Sequence, residues 1–300
     1  MGAFHCPIGA AYYDDDACID CGLCYAKDSA EKVEASRKIR EYLVVHSPVT
    51  ARPSKIAICG KGGSGKTMLV TLLAGALKNA GYRVMVLDAD ESNPGLARLL
   101  GIAGEPKPLK ELFGTGQDSN KNSLMERDSF SIADVNPAYI SDGSGVSFML
   151  TGKVVDPFQG CACSLAACAC EVVEKLKIND NEVLLLDLEA GVESFGRGVE
   201  RHTDTVIAVV EPSYESITLA GKIIYMAKGM GITRAGAVLN KMTTVAMKLR
   251  ATSELEKLGV VVYGTISYHA DLAEAGFSGD PPDSEKAKKE AGVILRNILL

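Results

Sequence analysis

KIAICGKGGSGKTMLVTLLAGALKNAGYRVMVLDAD, residues 55–90, is the stretch on which the fold turns. KIAIC is a short apolar run of the kind a buried strand needs, and YRVMVLD is a second. Between them, helical spacing runs from Lys66 to about Ala80. Two strands joined through a helix form a crossover unit and lie parallel in one sheet. The turn that opens the helix, Gly60-x4-Gly65-Lys66-Thr67, has the spacing of a phosphate-binding loop. Backbone N–H groups along Gly60, Gly62, Gly63, Ser64 and Gly65 converge on a β-phosphate, and the helix N-terminus adds partial positive charge. Lys66 then reaches the β- and γ-phosphates, and the Thr67 hydroxyl ligates Mg²⁺. ATP or ADP with Mg²⁺ is the expected ligand.

Outward from this unit the same alternation continues. VLLLD at 183–187, TVIAVV at 205–210, AGAVLN at 235–240 and VVYGTI at 261–266 read as further buried strands separated by amphipathic helices. The fold class is α/β, a doubly wound and mostly parallel sheet. Two more strands are expected at SFSIADVN, 129–136, and GVSFMLTG, 145–152. The final SEKAKKEAGVILRNILL reads as a C-terminal helix docked on the core. Upstream, HSPVTARPS is a linker, which divides the chain into a small segment, 1–48, and a main domain, 54–300.

The whole chain has 300 residues, 47% hydrophobic and 23% charged, enough for one large core and an appendage. A net charge of −6 without a basic block argues against nucleic acid as a partner. No apolar run is long enough to span a membrane, and the acidic N-terminus lacks the order of a signal peptide, so a cytoplasmic protein is expected.

Eight of the nine cysteines fall in two clusters. In a reducing compartment, clustered thiols read as metal ligands before disulfides. Cys18-x2-Cys21-x2-Cys24 is the short run with which a ferredoxin loop wraps a [4Fe-4S] cube. The fourth ligand stands upstream as Cys6, followed by Pro7. A [4Fe-4S] cluster is the expected occupant, with zinc as the alternative. The second cluster, GCACSLAACAC from Gly160 to Cys170, supplies Cys161 and Cys163 as a thiolate pair, half of a tetrahedral or cuboidal site. A two-fold dimer would supply the other half. For Cys168 and Cys170 two readings stand: buried helix thiols or extra ligands. Cys59, ending the first strand, reads as a small core residue.

The loop carries a second lysine, Lys61, and KGGSGKT resembles the deviant Walker A loop of the MinD/ParA and nitrogenase iron-protein superfamily. That resemblance implies an ATP-dependent homodimer in which Lys61 contacts the phosphates bound by the partner subunit. It also implies that Asp90, in VLDADES, orients or deprotonates the attacking water, with Asp88 supporting the site. Asp187, leaving VLLLD, takes the place of the Mg²⁺-linked Walker B acid, and Gly191 offers its N–H to the γ-phosphate. Asn240 resembles the family's adenine-reading asparagine. Glu211 stands on the same rim, where a nucleotide contact and a plain strand-ending turn are equal readings. At 267–271 SYHAD replaces the proline-led segment common among relatives.

From GCAC through LLLDLEAGVESFGRG to VIAVVEPS, the chain is similar to CooC-type ATPases that help insert nickel into carbon monoxide dehydrogenase. The similarity implies that Cys161 and Cys163 bind metal between subunits, whether nickel, zinc or a [4Fe-4S] cluster. The implied client is a metalloenzyme, carbon monoxide dehydrogenase or a reductase target. GCA also resembles the iron protein of nitrogenase around one cluster ligand, but VESFG at 192–196 lacks that family's second cysteine. Three functions follow: a metallocluster-maturation ATPase, an ATP-gated electron donor, and a positioning ATPase that binds a membrane or scaffold through its last helix.

Overall fold

The computed structural model describes residue 31 and residues 53–113, 124, 126–153 and 163–299. The cysteines at 6, 18, 21, 24 and 161, and with them all of the 1–48 segment but residue 31, lie outside the described residues.

The residues from Pro53 to Leu299 form a compact unit of their own. In chain order its elements begin with β1 (Lys55–Gly60), α1 (Lys66–Asn79), β2 (Arg83–Ala89) and the short α2 (Leu96–Leu99). β3 (Ser141–Gly143), β4 (Val146–Leu150), α3 (Cys163–Lys175), β5 (Glu182–Leu188) and α4 (Glu193–Arg197) follow. The chain then alternates through β6 (Thr205–Val210), α5 (Tyr214–Gly229), β7 (Arg234–Met242), α6 (Val245–Lys257) and β8 (Val261–Ser267). It closes with α7 (Ala270–Ser278) and α8 (Glu285–Leu299). The strands make one eight-stranded sheet in the order β3-β4-β2-β5-β1-β6-β7-β8. Every neighbouring pair is parallel except β3 with β4.

Strand residues alternate between two cores because successive side chains leave a pleated strand on opposite faces. Ile56 and Ile58 point to the side packed by α1 and α8, while Ala57 and Cys59 point to the side packed by α3, α5 and α6. Cys59 is fully buried, as its sequence context implied. The apolar stripe of α8, with Ala287, Ala291, Ile294 and Leu295, is buried in the sheet side of the core. Gly264 makes that docking possible: a Cβ there would lie 2.6 Å from Ile294 Cγ1. Among the described residues no helix is long and apolar enough to cross a membrane.

The structure corrects one expected strand. Residues 129–136 make an isolated bridge from Phe130 to Leu176 and then turn into 3-10 helix over Ile132–Asp134. Ser131 and Asp134 form a reciprocal capping box, and Asn136 caps a second 3-10 turn begun by Pro137. Local side-chain capping outcompetes the β pattern of the apolar residues.

Sheet order places the site. β1 lies between β5 and β6, and the crossovers to those two strands diverge there, so a crevice opens beyond the carboxyl ends of the central strands. Asp88 and Asp187 are register partners at the ends of β2 and β5. Ile58 is aligned with Asp187, and Gly60 with Val209.

Candidate functional site

The loop between β1 and α1 is held from both flanks. Gly65 precedes the helix with φ +97°, a left-handed conformation that glycine adopts without a Cβ clash. Asn240, buried at the end of β7, donates from Nδ2 to the Ser64 carbonyl at 2.7 Å. Lys241 donates from Nζ to the Gly63 carbonyl at 2.5 Å. On the other flank, the Gly191 N–H donates to the Gly60 carbonyl at 3.1 Å. The N–H expected to meet a γ-phosphate is thus engaged with the loop itself, and must leave Gly60 to do so.

Lys61, the signature lysine, is paired with Glu211 at 3.0 Å. Lys241 stands 3.9 Å from the other oxygen of the same carboxylate. Glu211 therefore faces two lysines.

The carboxylates at the strand ends share a dry environment. Asp187 is 1% exposed and its Oδ2 accepts from the Thr67 hydroxyl at 2.7 Å. Burial, followed by repulsion from Asp88, raises Asp187 to about 7. Its Oδ1 is buried with no hydrogen-bond partner. An orphaned carboxylate oxygen beside a threonine hydroxyl is an oxygen donor set that suits Mg²⁺, so Thr67 and Asp187 fit the cation that accompanies a nucleotide. When bound, Mg²⁺ would neutralise phosphate charge there.

Asp88 is raised by burial to about 6, against the lowering effect of Lys153, whose ammonium lies 2.7 Å away. Asp90 is buried as well, and its Oδ1 accepts from the backbone and hydroxyl of Ser92 at 3.0 and 2.6 Å. Asn93 donates to the Thr67 hydroxyl at 2.9 Å, linking this loop to the phosphate-loop threonine. Further out, Glu189 is raised to about 7 by burial and by a hydrogen bond with Glu91, and Arg197 pairs with Glu189 at 2.5 Å. A cavity of about 550 Å³, within the range of small-ligand sites, is lined by Gly65, Lys66, Thr67, Asn93, Arg98 and Phe277.

A phosphate-binding loop thus lies at the switch point of a parallel sheet, with buried carboxylates opposite. Residues 55–282 match the family model described as the CobQ/CobB/MinD/ParA nucleotide binding domain. The chain belongs to this family.

As a MinD/ParA-type protein it is an ATPase. It is 39% identical over 240 residues to an ATP-binding protein of Methanocaldococcus jannaschii, covering 77% of this chain and 94% of that one. It is 30% identical over 256 residues to the carbon monoxide dehydrogenase accessory protein CooC of Rhodospirillum rubrum, covering 81% and 97%. Among solved structures, the cell division ATPase MinD of Pyrococcus furiosus superposes with a TM-score of 0.62 at 20% identity, covering 82% and 98%. That likeness concerns the fold.

The structure brings Lys61, Lys66, Thr67, Asp90, Asp187, Gly191, Glu211 and Asn240 to the same end of this MinD/ParA-type sheet. Cys163 begins α3. Cys168 is 1% exposed in the core, and burial pushes its thiol well above the ordinary value. Cys170 donates from Sγ to the Arg197 carbonyl at 3.3 Å. Both lie on helix α3, and no group of three or more metal-ligating side chains occurs among the described residues. Sequence reasoning missed Lys153, Arg197 and Asn93. Lys153 carried a usable signal, since a lysine three residues past the apolar run VSFML emerges at the acidic end of the sheet.

Proposed function

We propose that this ATPase is a metallocluster-maturation factor, handling a metal ion such as nickel for a client of the carbon monoxide dehydrogenase type. In this reading ATP closes a homodimer through Lys61, closure brings together the Cys161–Cys163 pairs of two copies, and hydrolysis reopens them. Asp90 serves the attacking water. Lys66, Thr67 and Asp187 hold the nucleotide and its cation, while Asn240 and Glu211 shape the rim. The observation that carries the reading is the placement of Cys163 at the start of a helix whose Cys170 is hydrogen-bonded to the segment following the Asp187 strand. Cys163 and the nucleotide site then lie on connected elements. The likeness to CooC over nearly its whole length supports the same choice.

Coupling of this kind requires metal affinity to differ between nucleotide states. Nickel titration of the full chain, followed by equilibrium dialysis with ADP and with a non-hydrolysable ATP analogue, is the test. Affinity should differ at least severalfold between the two states and vanish in Cys161→Ala; equal affinities sink the proposal.

One sequence feature favours a second reading. The Cys6, Cys18, Cys21 and Cys24 set matches a ferredoxin loop, and a plain metal carrier has no evident use for a redox group. An ATP-gated electron donor would show a reducible cluster signal in anaerobic EPR that Cys18→Ala removes. Absence of any such signal eliminates that reading.

A further inference from the structure

Asp88, Asp90 and Glu91 at the end of β2 stand beside Asp187 and Glu189 at the end of β5. Neighbouring carboxylates repel, and burial strengthens the repulsion. Two basic side chains from outside the phosphate-loop motif hold this arrangement. Lys153, 13% exposed at the end of the β4 segment, donates from Nζ to Asp88 Oδ2 at 2.7 Å, to the Asp90 carbonyl and to the Asn93 carbonyl at 2.7 Å. One ammonium thereby uses its three protons on three points of a single loop, 88–93. Arg197, at the end of α4, reaches Glu189 at 2.5 Å and stands 4.0 Å from Glu91, which follows Asp90 directly. It spans the loops after β2 and β5.

Each cation is also connected to the second cysteine cluster. Lys153 precedes it in the chain, and the Arg197 carbonyl receives the Cys170 thiol of α3. The protons of Lys153 have no acceptor in common with those of Arg197, so the loop is fixed at separate points. A side chain whose only task was to neutralise Asp88 would not need two backbone carbonyls of the same loop.

We propose that Lys153 and Arg197 are positioning residues that hold the 88–93 loop against the end of β5, and that through Arg197 this loop and helix α3 respond together to the nucleotide. The positioning half rests on the ATPase alone; the coupling half rests on the metal-handling reading.

Removing Lys153 by itself would leave Asp88 buried and unpaired, so the decisive comparison is between Asp88→Asn and the double variant Asp88→Asn/Lys153→Met. In Asp88→Asn the lysine keeps both carbonyls. Misplacing a reacting group by about 1 Å costs on the order of 100-fold in rate, so kcat should fall at least about tenfold from the single to the double variant while KM for ATP changes less than about threefold. Equal kcat in the two variants would mean that Lys153 only balances the Asp88 charge, and would overturn the positioning role. A KM rise matching the kcat loss would do the same.

Coupling is read separately, from the alkylation rate of Cys163 by iodoacetamide in the full chain. With ADP and with the non-hydrolysable analogue the wild-type rates should differ severalfold, and Arg197→Met should remove the difference. A contrast that persists in Arg197→Met overturns the coupling. A wild type without contrast overturns the metal-handling reading together with it, and leaves the kcat result for Lys153 standing.

Discussion

Asp187→Asn should make the nucleotide-free protein more stable at pH 8 while removing its ATPase activity. Asp187 is 1% exposed, and burial raises it from the ordinary 3.8 to about 7. A raised acid binds its proton more tightly in the folded state, so its folded-state advantage is full below pH 3.8 and is lost as pH climbs through 7. Across the whole shift the ionised form costs about 4 kcal/mol, of which about 2.5 kcal/mol falls between pH 5 and pH 8. Asparagine does not titrate. Its Oδ1 can keep the Thr67 hydroxyl bond, but its amide takes the place of an oxygen without a partner. An unsatisfied buried donor costs about 1–3 kcal/mol. The net expectation at pH 8 is a gain of about 1–3 kcal/mol for the variant, shrinking by about 2.5 kcal/mol at pH 5, where it reaches zero or reverses. Urea unfolding of nucleotide-free wild type and variant at pH 5, 6, 7 and 8 measures this directly. A stability difference independent of pH would refute the argument, because it would show that Asp187 does not titrate in this range.

Gly65→Ala should weaken MgADP at least about tenfold in a fluorescent-nucleotide titration, since a left-handed alanine costs about 1–2 kcal/mol and its Cβ would lie 2.1 Å from Asn240 Nδ2. Glu211→Gln should release Lys61 from its ion pair; a half-exposed pair is worth under about 1 kcal/mol, so the proposed ATP-dependent dimerisation should tighten by no more than about fivefold in analytical ultracentrifugation. Weaker dimerisation in that variant would show that Glu211 supports Lys61. Cys168→Ala should cost about 1–2 kcal/mol in urea unfolding through lost core packing and leave the bound-metal content unchanged; a drop in metal would return Cys168 to the ligand set.

The sheet was legible because buried parallel strands write themselves as continuous apolar runs, and VLLLD, TVIAVV and AGAVLN each fall within an observed strand. The phosphate loop was legible because its glycines answer a backbone demand that few other sequences satisfy. Residues 129–136 were misread for a local reason: Ser131 and Asp134 bond to each other and to the backbone, and apolar periodicity carries no trace of that competition. Lys153 and Asn93 were missed for a different one. Their partners lie 60, 63 and 65 residues away for Lys153, and 26 for Asn93. Such contacts are set by strand order, which a motif of consecutive residues does not encode.

Glu211 and Gly191 show how the same limit applies to function. Both lie at the phosphate end of the sheet, where Gly191 is expected to meet the γ-phosphate and Glu211 reads equally as a nucleotide contact or a strand-ending turn, and each is engaged with the phosphate loop. Gly191 bonds Gly60, and Glu211 bonds Lys61, so consecutive residues of the phosphate loop are tied to the ends of two different strands flanking β1. Phosphate that drew off the Gly191 N–H would free the segment after β5, and phosphate that drew off Lys61 would free the end of β6. The first of these segments also carries Arg197, the carbonyl acceptor of Cys170 and the partner of Glu189. On the proposed metal-handling reading, an exchange of hydrogen-bond partners at Gly60 would reach the helix that begins with Cys163 through Arg197.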